Sequence, residues 1–159
     1  MKRLHIHDKS KWLKGPWHQE HDYEVWIDEV TSYPCLMRRN QFATWCGFVG
    51  ILENHPLFLV PVENMIWDSF NIHGEIGFAQ FYKEADLEFD PPVRRWWVGF
   101  NTSHKSDFLP NPPKDDSKYS KNTRDITKYR NIEYTRRETL YLASQLLKFA
   151  SEYETDRII

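Results

Sequence analysis

The chain has 159 residues and a formal charge of −2, and 16% of it is aromatic. That length fits one domain able to enclose a core, and seven Trp, eight Tyr and ten Phe predict a core of large flat side chains. The near-balanced charge excludes a general electrostatic pull on nucleic acid or anionic lipid, and no stretch approaches the roughly 20 apolar residues of a membrane-spanning helix.

In chain order, the opening segment through Gly15-Pro16-Trp17-His18 is polar and rich in turn formers. It reads as a surface arm, loose before residue 12 and pinned to the body by Trp12 and Trp17. Val25 and Ile27, separated by Trp26 and flanked by acids, predict a strand over 24–30 that ends in a Thr31-Ser32 turn. A second strand follows over 33–38, with Pro34 at its start or on a sheet edge because proline has no amide donor. Arg39-Asn40-Gln41 turns the chain into a strand over 44–51, which places Cys35 and Cys46 on the two arms of a hairpin-like pair. With two cysteines and no apolar leader, free buried thiols and a reducing cytoplasm are expected. Gly47 and Gly50 inside an apolar strand predict a bulge or a backbone that another group approaches closely.

After a loop at 53–58, a short helix over 62–67 starts from Pro61. The stretches 72–82 and 94–100 are rich in β-formers and read as strands separated by Asp90-Pro91-Pro92. Residues 110–128, crowded with Pro, Asp, Asn, Ser and Lys, read as a long surface loop. Leu140, Ala143, Leu147 and Ala150, with Leu146 beside them, recur at helical spacing. Thr135-Arg136-Arg137-Glu138 fits a capping box, so a long amphipathic helix begins near Thr135 and frays after Glu152. Several strands followed by one long helix define an α+β chain, a mostly antiparallel sheet with a C-terminal helix packed on it, in a single domain.

The familiar cofactor motifs are missing: no Walker loop, Rossmann glycine fingerprint, nucleophile elbow, zincin pair or CxxC occurs. What remains is a scattered set of histidines, His5, His7, His18, His21, His55, His73 and His104. His73-Gly74 at a strand start and His104-Lys105-Ser106-Asp107 just after a strand can meet at one end of the sheet. There two imidazoles and a carboxylate would move a proton, hold a divalent metal, or simply cap strand ends. His5 and His7 would share one face of a strand but lie in the arm. Arg38-Arg39, Arg94-Arg95 and Arg136-Arg137, with Trp45, Trp96 and Trp97, offer cationic forks and stacking faces for a nucleotide-like ligand. Strand alternation also sends one arginine of each pair to solvent and the tryptophans to the core. Lys114 to Arg130, with Tyr119 and Tyr129, combines charge and rings suited to single-stranded nucleic acid, diluted by Asp115, Asp116 and Asp125.

These residues fall within a wider resemblance. Gly15-Pro16-Trp17, Tyr33-Pro34-Cys35-Leu36, Arg38-Arg39-Asn40, Cys46-Gly47-Phe48-Val49-Gly50, His55-Pro56-Leu57, His73-Gly74, Trp96-Trp97 with Gly99-Phe100, His104 with Asp107, and Tyr129-Arg130-Asn131-Ile132-Glu133-Tyr134 occur in one order along most of the chain. In them the chain resembles a family of small uncharacterised proteins of tailed phages and prophages. It departs from that pattern at Asn101 and Thr102, where the family has an acidic residue and a small or thiol residue, and at Glu75 in place of a second glycine.

The resemblance implies a phage accessory protein of the host cytoplasm, of the kind that neutralises a host defence component or its signalling nucleotide. The leading expectation is accordingly a binding protein that sequesters a nucleotide-like ligand or inhibits a host defence protein, using Arg38, Trp45, His73, Trp97 and His104. The alternatives are a small hydrolase, metal-dependent or not, with His73, His104 and Asp107 as its candidate catalytic residues, and a protein–protein interaction module. No cofactor is expected; a divalent metal at His73, His104 and Asp107 is what the residues allow. No membrane partner is expected, nucleic acid is disfavoured, and a homo-oligomer stays open.

Overall fold

A computed structural model describes residues 1–114 and 125–158; the middle of the expected 110–128 loop, with Tyr119, lies outside them. Six strands form one sheet: β1 (Lys2–Leu4), β2 (Tyr23–Ile27), β3 (Pro34–Arg39), β4 (Trp45–Ile51), β5 (Phe78–Phe81) and β6 (Trp96–Asn101). Their spatial order is β1-β2-β3-β4-β6-β5, and every neighbouring pair is antiparallel. A short helix α1 (Lys83–Asp86) and a long helix α2 (Ile132–Ile158) complete the α+β fold. No helix among the described residues is long and apolar enough to cross a membrane.

Both faces of the central strands are covered, so alternation sorts residues between two packed layers rather than between core and water. Trp26, Cys35, Met37, Trp45, Val49, Val98 and Phe100 pack toward Leu142, Ala143 and Leu146 of α2. Val25, Leu36, Cys46, Phe48 and Trp97 pack on the other side with Ala85 of α1. The two cysteines therefore lie on opposite faces and are free. Burial raises both thiol pKa values, that of Cys46 to about 12, so neither is reactive at neutral pH. Ellman's reagent is expected to titrate both thiols only after unfolding; reaction of the native chain would contradict this packing.

The β4–β6 register is continuous through Gly47 and Gly50, so there is no bulge. Close approach is the reason for Gly47: a Cβ there would stand 2.2 Å from Thr139 Oγ1 and 2.6 Å from Phe100 Cε1. The absent side chain lets α2 settle on the sheet.

Several boundaries differ from those expected. The N-terminal arm is not loose: it supplies edge strand β1, and beyond it Ile6 and His7 donate their amides to Asp22 at 3.0 and 3.1 Å. Trp17 is fully buried and stacks on Phe108, while Ile27 is 51% exposed and Trp26 takes the core position. The region 72–82 is a strand only over Phe78–Phe81, because Gly74 turns the chain with φ +68. The helix expected over 62–67 is a 3-10 turn, Met65–Ser69, capped by Asn64. Helix α2 begins at Ile132 rather than near Thr135, since Asn131 Oδ1 accepts from the Tyr134 amide at 2.8 Å. Thr135 is buried in the helix, Leu147 is 38% exposed, and the helix continues past Glu152 to Ile158.

A buried ionic knot ties the arm, β2, β3 and α2 together. Arg39, fully desolvated, donates through Nε to Asp22 at 2.8 Å and through Nη1 to the Ala43 carbonyl at 2.9 Å. Lys9 pairs with the same Asp22 at 2.9 Å. Arg136 of α2 grips buried Glu24 with two bonds of 2.8 Å, and His21 meets that carboxylate at 2.7 Å. Glu20 accepts from the Ile132 amide at 2.8 Å and from the Tyr129 hydroxyl. Tyr129 thus belongs to the knot and is no stacking platform for nucleic acid.

Candidate functional site

Two turns converge where β6 ends and β5 approaches, beside the first turn of α2. His73 lies in the turn before β5, and His104 and Asp107 lie in the turn after β6. The ring centres of His73 and His104 are 5.4 Å apart. Between them sits Asp107, fully buried. His73 Nε2 lies 3.0 and 2.9 Å from its two oxygens. His104 reaches Oδ2 with Nδ1 at 3.1 Å and with its own amide at 3.0 Å. Arg130 donates through Nε to Oδ1 at 3.1 Å.

These contacts fix the protons that face Asp107. An ionised carboxylate only accepts, so His104 Nδ1 and His73 Nε2 both carry hydrogen toward Asp107. Tyr134 Oη lies within hydrogen-bond distance of His73 Nδ1, at 2.6 Å. Burial first, and then the charge of Glu138, raise the Tyr134 pKa and keep that hydroxyl protonated. Burial alone would raise Asp107, but the hydrogen bonds from His104 and His73 and the His104 amide outweigh it and hold the carboxyl far below its ordinary range. Asp107 is therefore an anion at neutral pH.

His104 Nε2 makes no hydrogen bond among the described residues, and the side chain is 31% exposed. Gly74 gives that edge its room. A Cβ at Gly74 would stand 2.4 Å from His104 Nε2 and 2.3 Å from Cε1, and the φ of +68 is one that side chains resist. The arrangement is a buried carboxylate holding Nδ1–H of an imidazole whose Nε2 has no partner among the described residues, the geometry of an oriented general base. The same three side chains present one ligand atom each within 4.8 Å of one another, so they can also ligate a cation.

The expected ligand set of Arg38, Trp45, His73, Trp97 and His104 does not assemble. Trp45 is fully buried on the α2 face, 4.4 Å beneath the Arg39 guanidinium. Trp97 is fully buried on the opposite face, where Nε1 donates to Asp86 at 2.9 Å. Arg38 also faces that side and donates to the Tyr82 hydroxyl. Alternation along β3, β4 and β6 sends Trp45 to one face of the sheet and Arg38 and Trp97 to the other. His5 and His7 join no metal-capable group among the described residues: His5 meets His21 edge-on and His7 packs near Trp12. His55 is structural, bridging the Leu146 carbonyl at 2.8 Å and the Leu57 amide at 3.0 Å.

Arg130 and Tyr134 were the members that residue patterns did not single out; Tyr134 sits in the first turn of α2 and Arg130 just before its Asn131 cap. Asn101, one of the departures noted above, accepts two bonds from Ser103, at 3.1 Å from its amide and 3.0 Å from its hydroxyl, and so shapes the His104 turn. Thr102, another, is buried and donates to the Trp45 carbonyl at 2.9 Å. Against protein-family models, curated proteins and solved structures, the chain has no match in any of the three comparisons.

Proposed function

We propose that the chain is a small acid–base hydrolase of an anionic ester, with His104 as base, Asp107 as the group that orients it, and Arg130 as the cation that receives the substrate's charge. The observation that carries this reading is the unpartnered His104 Nε2, on an imidazole whose other nitrogen is held by a fully buried carboxylate. In the step envisaged, Nε2 takes a proton from water as the water oxygen attacks the ester centre. The imidazolium, stabilised by Asp107, then returns the proton to the leaving oxygen. Arg130 spends Nε on Asp107, and its terminal nitrogens make no hydrogen bond among the described residues, which leaves a fork for the substrate anion. His73 and Tyr134 position Asp107 from the far side.

A divalent metal held by His73, His104 and Asp107 is the second reading, favoured by their mutual reach. Arg130 weighs against it, since a guanidinium 3.1 Å from Asp107 already supplies the neutralising charge a metal would bring. The setting implied by the resemblance, a phage accessory protein acting on a host defence component or its ligand in the host cytoplasm, is proposed with it.

The test is turnover of p-nitrophenyl acetate, p-nitrophenyl phosphate and bis(p-nitrophenyl) phosphate by the full chain, with and without EDTA. His104→Ala is expected to lower the rate by about 10²–10⁴-fold while leaving the melting temperature nearly unchanged. Activity that survives this substitution, or no turnover of any of the three, would sink the hydrolase. Activity abolished by EDTA and restored by zinc would transfer the site to the metal reading.

A further inference from the structure

On the face of the sheet away from α2, a cleft of about 650 Å³ opens between β3, β5 and the start of α1. Phe48, Phe78 and Tyr82 line it and pack edge to face, with Phe48 at 5.1 Å from Phe78 and 5.8 Å from Tyr82. Arg38 and Lys83 also line it, and neither forms an ion pair among the described residues, although the exposed carboxylate of Glu84 stands at the same cleft. Arg38 is fixed instead by a neutral partner: Nη1 donates to the Tyr82 hydroxyl. Gln80, exposed on β5, adds an amide able to donate and accept at the cleft's edge.

Aromatic surface, two cations outside any ion pair against the one carboxylate of Glu84, and an amide in one concavity match a ligand that is planar at one end and anionic at the other. The volume lies within the range of roughly 300–1,000 Å³ typical of small-molecule sites. We propose that this cleft binds a nucleoside monophosphate, the base stacked on Tyr82 and Phe78 and met at its edge by Gln80, the phosphate held by Arg38 and Lys83. The site stands apart from the His104 cluster, which lies on the helix side of the sheet, so it does not rest on the hydrolase reading. It also accounts for why Arg38 faces outward while its neighbour Arg39 is buried: adjacent residues of β3 serve opposite faces, one for the knot and one for the cleft.

Calorimetric titration of the full chain with AMP, GMP, CMP and UMP, beside adenosine and inorganic phosphate, tests the proposal. At least one monophosphate is expected to bind about tenfold or more tightly than its separate halves, because both ends are recognised. Arg38→Gln is expected to weaken it by about tenfold, as the loss of one charged fork implies. Lys83→Gln, on an exposed position, serves as the second variant should Arg38→Gln not fold, and His104→Ala should bind as the parent does. No heat with any monophosphate at millimolar concentration, equal affinity for phosphate alone, or binding unchanged in both cation variants would overturn it.

Discussion

Replacing Arg39 with alanine is expected to destabilise the fold by about 3–5 kcal/mol, the usual cost of stranding a buried charge. Urea unfolding of the full chain measures it. The guanidinium is fully buried, and its loss leaves Asp22 with Lys9 as its one charged partner among the described residues and removes a donor from the Ala43 carbonyl and the Tyr129 hydroxyl. It also empties the space over Trp45. Folded domains stand only about 5–15 kcal/mol above the unfolded state, so this one substitution removes a large share of the margin. A paired change, Arg39→Met with Asp22→Asn, should recover part of the loss, because the stranded charge and not the missing attraction dominates the cost. A double variant no more stable than the single one would contradict that account.

The same knot sets an acid limit. Burial pushes Asp22 and Glu24 upward, but hydrogen bonds from Lys9 and Arg39 to the first, and from Arg136 and His21 to the second, bring both below their ordinary values. A carboxylate depressed in the fold contributes stability that is complete above its unfolded pKa, about 4, and is lost as pH falls below it. Asp107 acts in the same direction. His55 acts earlier: burial lowers its pKa, so as pH drops through about 6.5 the unfolded chain takes up a proton that the fold refuses. Stability should therefore slip slightly near pH 6 and steeply below about pH 4.

Asp107→Asn is the second large effect expected, a loss of about 10³–10⁴-fold in esterase rate, the scale seen when an orienting carboxylate becomes an amide. The amide keeps the shape but withdraws the charge that two imidazoles and Arg130 address, and its NH₂ meets donors. One of the histidines must turn or change tautomer. Gly74→Ala separates orientation from charge. It leaves Asp107 intact yet drives a methyl group into His104 and forces a left-handed backbone, at about 1–2 kcal/mol. Full activity in a folded Gly74→Ala chain would show that the position of His104 does not matter, and with it the catalytic reading would fall.

The α+β fold was legible because strand formers and a 3.6-residue repeat carry most of its information. The convergence of His73 with His104 and Asp107 was legible too, because both turns border paired strands. What stayed hidden is what only the third dimension holds. Trp45 and Trp97 look like stacking faces in sequence, but a sheet covered on both sides buries both alternating sets. The N-terminal arm looks loose because its partners, Asp22 and Pro110, are distant in sequence or polar; the Leu13 amide, for example, donates to the Pro110 carbonyl at 2.9 Å. Thr135 looks like a cap because Asn131, four residues earlier, does that work without a matching glutamate. Arg130 and Tyr134 join the site only because α2 starts one turn sooner than Thr135.

Helix α2 carries Tyr134 in its first turn, with Arg130 just before its Asn131 cap, and inserts Leu142, Ala143 and Leu146 into the core farther along. A compound that grips its first turn is therefore attached to the element whose release unravels the sheet, and occupancy is readable as heat resistance. At a concentration one hundred times its dissociation constant such a compound adds about 2.7 kcal/mol, or roughly 5–10 °C of melting temperature in a chain of this size. A dye-based melting screen of small anions could thus sort ligands before any reaction is known.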